Sequence, residues 1–129
     1  MIYRLVAYSL VLLGIVGTIY IAVEGIYRDE YDTPSIDFDE LNQRLTDSTD
    51  LTIIDVRNVD EIAEQELPWD DVMHIPLFLL EKRSLELTPY KDQPLLLICP
   101  NGKRSKQGAR TLRLAGFDAY YLEDGLEGS

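Results

Sequence analysis

Apolar and polar positions along the chain fall into two regimes. Residues 5–23, LVAYSLVLLGIVGTIYIAV, carry no charge. As a helix rising ~1.5 Å per residue they would span roughly 28 Å, about the thickness of a bilayer core. Beyond Val23 the apolar residues come in short runs separated by polar stretches and turn formers. Leu51-Thr-Ile-Ile-Asp-Val56 and Pro94-Leu-Leu-Leu-Ile-Cys99 are too short for free-standing helices and read as buried strands. Val72-Met-His-Ile75, halted by Pro76, and Ala119-Tyr-Tyr-Leu122 read as two more.

Helix signals lie between the strands. Asp37 and Glu40 have the spacing of a capping box, which opens a helix to about Leu45. Asn58 and Glu61 repeat that spacing and open a second. Phe78 to Leu85 suits a third. Ser105 to Ala115 suits a fourth, closed by Gly116 at the first position past the helix. Strands alternating with helices predict an α/β domain with a mostly parallel sheet flanked by helices. The expected organisation is therefore an N-terminal transmembrane anchor over residues 1–24, a polar linker over 25–35 and the α/β domain over 36–129.

A cleaved signal peptide is the alternative reading of the first segment. Signal-peptide apolar regions run about 7–15 residues and end at a small-x-small site. The run here is longer, and Ile21-Ala22-Val23-Glu24 offers no such site. Tyr3, Tyr20 and Tyr27 sit where interfacial aromatics belong. Arg4 and the α-amino group flank one end, and Glu24, Arg28, Asp29 and Glu30 the other. The positive-inside rule then keeps the N-terminus cytoplasmic and puts the domain on the far side, periplasmic in a bacterium.

Charge narrows the function. All 23 acidic residues follow Val23, as do 11 of the 12 basic ones, so the linker and domain carry a formal charge of 11 − 23 = −12. A nucleic-acid partner is excluded as a general role. Yet Lys103, Arg104, Lys106, Arg110 and Arg113 lie within eleven positions, a basic island that suggests a local anion site. Cys99 is the one cysteine, which rules out an intrachain disulfide, a CxxC redox pair and a cysteine-rich zinc site. No metal or cofactor is expected. His74 is the one histidine, and nothing local brings it to Cys99.

Cys99 ends an apolar strand, and Pro100-Asn-Gly-Lys-Arg-Ser105 leads into a helix. In open α/β sheets ligands bind beyond the carboxyl ends of strands. A loop curling into a helix N-terminus points backbone N–H groups inward, and these favour an anion, a thiolate included. Gly102 permits the tight backbone, Lys103 and Arg104 add charge, and Ser105 offers a hydroxyl. A lone cysteine after a strand is usually a small buried hydrophobe, and a Lys/Arg-rich helix face is usually only solvated. The combination within seven residues points to a nucleophile.

Those seven residues resemble the active-site loop of rhodanese-like sulfurtransferases, C-x-x-G-x-R/S-S. Ile54-Asp-Val-Arg57 is similar to the family's IDVR strand end. Leu67-Pro68 with His74-Ile-Pro-Leu77 resembles its HIPGAINIPL segment, Gly108 to Phe117 its LLREAGF helix, and Leu122 to Gly128 its LEGGIEGW. The resemblance implies five parallel strands between helices and a Cys99 persulfide as intermediate. It implies that Asn101 to Ser105 cradle that persulfide through their N–H groups, that Lys103 and Arg104 hold a small anionic sulfur donor, thiosulfate or a persulfide, and that a thiol, cyanide or sulfur-accepting protein takes the sulfur. Asp55 and Arg57 match a family motif and read as scaffolding beside the loop. Pro100 departs from the family by standing where Arg is common, which removes one cation and one donor. Glu66 stands where His is common.

Three other readings remain open at this point. A phosphatase-type enzyme on a related fold has a loop one residue longer than the spacing from Cys99 to Arg104. A membrane-tethered interaction module needs no nucleophile. A sulfur carrier would hand its persulfide to one partner, and with no second thiol in the chain nothing would resolve it prematurely.

Overall fold

The two apolar runs singled out above lie side by side at the centre of one sheet. The coordinates are a computed structural model; they describe residues 1–31, 33–47 and 50–128, with backbone alone for 4, 5 and 24–31. Two compact units divide at Asp32 and Thr33.

The first unit is a single helix, α1 (Ile2–Tyr31). It contains Val6–Val23, 18 residues of mean hydropathy 2.2 with none of them buried. By length and composition this stretch is able to cross a membrane. The helix does not stop at the end of the apolar run. It continues to Tyr31, so residues 25–31, expected as linker, are helical. The reason is local: no proline interrupts the chain before Pro34, and one Gly in an otherwise helix-compatible stretch costs only about 1 kcal/mol. Asp32 of the expected linker lies outside the described residues, as do the side chains of Arg4, Glu24, Tyr27, Arg28, Asp29 and Glu30.

The second unit carries a five-stranded sheet: β1 (Ser35–Ile36), β2 (Thr52–Asp55), β3 (Met73–His74), β4 (Leu95–Ile98) and β5 (Ala119–Leu122), in the order β1-β5-β4-β2-β3. Every pairing is parallel. The intervening helices are α2 (Phe38–Thr46), α3 (Val59–Glu64), α4 (Leu77–Arg83) and α5 (Lys103–Leu114), with 3-10 turns at Ser84–Tyr90 and Gly125–Gly128. The periodicity reading misses β1, because two residues are too few to show alternation. It also misses the first 3-10 turn, in which Pro89 denies the backbone an α-helical donor.

β4 explains why its sequence is apolar at every position. Leu95, Leu97 and Cys99 enter one cluster with Leu80, Ala109 and Leu112, while Leu96 and Ile98 enter another with Ile36, Leu41 and Leu122. A central parallel strand is covered on both faces and has no polar side. Burying each of these leucines contributes about 1.5–3 kcal/mol. Gly108 lets α5 press onto this face; a side chain there would collide with Leu97 and Leu80.

The helix starts follow their caps. Asp37 accepts a hydrogen bond from Glu40 N–H at 2.7 Å. The Glu40 carboxylate does not close the box; it takes Arg44 at 2.6 Å. Gly116, with φ +87°, ends α5 as anticipated. The chain leaves β2 toward one edge of the sheet and β4 toward the other. The adjoining ends of β2 and β4 are therefore the switch point, where an α/β sheet opens its crevice.

Candidate functional site

The C-terminal end of β4 brings Cys99, itself fully buried, up beneath that crevice. Its thiol has two hydrogen-bond partners among the described residues, both on Ser105: the backbone N–H donates to Sγ at 3.3 Å, and Oγ lies 3.3 Å away. Ser105 is wholly buried in the first turn of α5, where backbone donors carry the helix's positive end. Gly102 makes this turn possible. Its φ is +78°, and a side chain there would press on the Leu122 carbonyl at 3.2 Å.

Ser105 has one proton and two places to put it. Oγ donates to the Gly102 carbonyl at 3.0 Å, which leaves it to accept from the Cys99 S–H. Once Cys99 is a thiolate it needs donors, and the hydroxyl can turn to Sγ. Serine thus serves both protonation states without moving the backbone.

The loop is tied from behind. Leu126 N–H donates to the Cys99 carbonyl at 3.0 Å and Glu127 N–H to the Pro100 carbonyl at 2.9 Å. Gly125 makes these bonds possible by packing directly on both carbonyls, with φ +62°. Asn101 shapes the loop as well: its Oδ1 accepts from Lys103 N–H at 3.3 Å. That N–H, expected in the cradle, faces the Asn101 side chain. Lys103 itself is exposed.

Arg104 is not a bare cation. Its Nη1 and Nη2 donate to the Glu61 carboxylate at 2.7 and 2.5 Å, and Glu61 also accepts from Asn58 N–H at 3.0 Å. Arg104 first, then Asn58, holds the Glu61 carboxyl at about 2, against 4.5 ordinarily. Glu61 in turn raises the guanidinium further above its usual value. The sequence reading misses this contact. Glu61 is fully explained there as a cap residue of α3, and no local pattern links it to a residue 43 positions on.

Asp55 and Arg57 sit at the end of β2, each nearly inaccessible. Arg57 binds the Asp55 carboxylate through Nε and Nη2, the latter at 2.8 Å, and the Gln65 carbonyl through Nη1 at 3.0 Å. The His74 Nε2 contacts the Arg57 carbonyl at 2.9 Å; a carbonyl only accepts, so Nε2 carries the proton. His74 is thereby committed to β2 rather than to the thiol. Beside the loop, an open groove of about 480 Å³ runs between α4 and α5, with Arg104 on its wall and Phe78 at its lip.

Comparison with known proteins identifies the domain's family. Residues 37–128 match the family model for the rhodanese-like domain. The chain is 36% identical over 84 residues to the putative sulfur carrier protein YrkF of Bacillus subtilis, covering 65% of this chain and 43% of that one. It is 34% identical over 82 residues to a sulfurtransferase of Allochromatium vinosum, covering 64% and 73%. It thus spans less than half of the first relative's length. The crystal structure of a rhodanese-like domain protein from Staphylococcus aureus superposes with a TM-score of 0.67 at 28% identity, over 74% of this chain and 90% of that one.

Proposed function

This chain belongs to the rhodanese-like domain family, and from that premise we propose that it is a sulfurtransferase working through a persulfide on Cys99. The observation that carries the reading is Ser105 at the head of α5, whose N–H donates to Sγ and whose hydroxyl lies 3.3 Å from it. A backbone donor already aimed at the thiolate needs no rearrangement when sulfur arrives or leaves, and the hydroxyl proton turns to join it.

The reaction has two halves. The Cys99 thiolate attacks the sulfane sulfur of an anionic donor, forming an S–S bond and breaking the donor's own. With thiosulfate, Cys–S⁻ and S–SO₃²⁻ give Cys–S–S⁻ and SO₃²⁻. With an alkyl persulfide, Cys–S⁻ and R–S–S⁻ give Cys–S–S⁻ and R–S⁻. The outer sulfur then passes to a thiolate or to cyanide, and the Cys99 thiolate returns. A covalent intermediate between two substrates makes the kinetics ping-pong. Lys103 stands at the exposed side of the loop to meet the donor, and Arg104 lies behind it. Asn101 and Gly102 hold the loop's shape, and Asp55 with Arg57 holds the neighbouring strand end. The groove along α4 and α5 offers a protein partner a seat beside the loop, with Arg104 on its wall, so a sulfur carrier serving one partner is the second reading.

The same proposal extends to α1. Val6–Val23 serves as a single-pass anchor, with the N-terminus cytoplasmic and the domain across the membrane, periplasmic in a bacterium. An alkaline-phosphatase fusion to the C-terminus is then active; an inactive one reverses the orientation. For the chemistry, intact-mass spectrometry after thiosulfate or 2-hydroxyethyl persulfide decides. Wild type gains one sulfur and Cys99→Ser gains none. A wild-type chain that takes sulfur from neither donor ends the sulfurtransferase reading. Robust hydrolysis of an aryl phosphate would favour the phosphatase.

A further inference from the structure

Accepting sulfur transfer at Cys99 as the reaction, we infer that Glu61 is a specificity-determining residue, which neutralises Arg104 and turns the site from dianionic donors toward monoanionic persulfides. Arg104 is the loop's own cation, in the first turn of the helix that Cys99 faces. It is near enough to Cys99 and Asp55 for their charges to act on it. Its two terminal nitrogens are both held by one carboxylate, in a pair only 31% exposed on each side.

The rest of the loop's surroundings add little positive charge. Pro100 brings neither a cation nor an N–H. Lys106 lies over the Tyr121 ring, 5.8 Å from its centre. The segment tied across the loop brings Asp124 and Glu127, both exposed and both acidic. Asp55 and Arg57 cancel one another. Lys103 is left as the outward cation of Cys99–Ser105 that no carboxylate pairs among the described contacts.

Donor charge decides how much that matters. A thiolate meeting thiosulfate gathers three negative charges at one point; a thiolate meeting an alkyl persulfide gathers two. Releasing a dianion, sulfite, asks for the same extra positive charge at the exit. One outward lysine suits the monoanion. A dianion calls for a second free cation, and Glu61 withholds it. The carboxylate is ionised throughout the neutral range, so the neutralisation is permanent under working conditions.

The test compares kcat/KM for two donors, thiosulfate and 2-hydroxyethyl persulfide, in wild type, Glu61→Gln and Glu61→Asp. Glutamine keeps an oxygen for Arg104 and removes the charge. Glu61→Gln is expected to raise the thiosulfate-to-persulfide ratio about tenfold, chiefly through a lower KM for thiosulfate, with a steeper loss at high salt. Glu61→Asp, which keeps the charge, is expected to stay near the wild-type ratio. A Glu61→Gln ratio that is unchanged, or a fall of equal size for both donors, overturns the inference and leaves Glu61 as a brace for the loop. Wild type inert toward both donors would instead fail the sulfurtransferase reading itself, so the two failures are distinguishable.

Discussion

β2 and β4 run side by side in register from Thr52 opposite Leu95 to Asp55 opposite Ile98, and both end at the same crevice. One end is closed and the other is poised. At β2, Asp55 and Arg57 satisfy one another and the Gln65 carbonyl in a site that water does not reach. At β4, Cys99 is equally buried, yet its thiol meets only the N–H and hydroxyl of Ser105, with no charged hydrogen-bond partner among the described residues. The two arginines bracketing the crevice repeat the contrast. Arg57 is buried with its carboxylate next but one in sequence, whereas Arg104 is about one-third exposed and reaches across to α3 for its partner. Burial makes an ion pair costly to break and therefore structural. Partial exposure leaves a pair whose charge balance adjusts what binds nearby at little cost to the fold.

The sharpest way to break this division is to remove the sulfur. Cys99→Ser is expected to lower thiocyanate formation from thiosulfate and cyanide by on the order of a thousandfold or more. Its melting temperature is expected to stay within about 2 °C of wild type. At the β2 end the expectation is reversed. Arg57→Ala leaves the Asp55 carboxylate buried without its partner and costs about 3–5 kcal/mol by chemical denaturation. The fraction that remains folded keeps its turnover per molecule. A stable Arg57→Ala protein that no longer transfers sulfur would erase the distinction between the two ends.

A smaller effect separates the parts of the β4 end. Ser105→Ala retains the N–H at Sγ and loses the hydroxyl, so sulfur uptake by Cys99 is expected to slow roughly tenfold in rapid-quench mass spectrometry. No change would mean that the backbone donor suffices. The smallest effect is one of stability. Glu61 is held at about 2, against 4.5 for an ordinary glutamate. A lowered carboxyl contributes stability that is complete above the unfolded value and lost as pH falls through the folded one. Wild type is therefore expected to exceed Glu61→Gln by about 1 kcal/mol above about pH 5, and the gap closes as pH falls from 4.5 toward 2. A gap independent of pH would mean that Glu61 acts by packing alone.

Sequence made the centre of this domain legible and its edges much less so. β4 is apolar at every position because both its faces are covered, and a run of that kind has few other readings. Gly102 and Gly116 announce themselves because each stands where the backbone turns left-handed. β1 is invisible for the opposite reason: two residues hold it, and its partner β5 lies some 86 positions away. The meeting of Cys99 with Ser105 was legible because the two share one loop. The partner of Arg104 was not, since Glu61 already had a complete local explanation as a cap, and its second role comes from the approach of α3 to α5.

The pairing of β1 with β5 sets an order of assembly. Residues 35 and 36 leave the ribosome some 86 positions ahead of their strand partners, residues 121 and 122. The amides that tie the carbonyls of Cys99 and Pro100 arrive later still, at residues 126 and 127. From residue 36 to residue 121 the nascent chain carries its first strand unpaired, and from residue 99 to residue 126 it carries its thiol on an untethered loop. The domain closes both gaps in the same few residues of synthesis, so the loop around Cys99 takes its shape in one late step of the domain's assembly rather than along the way.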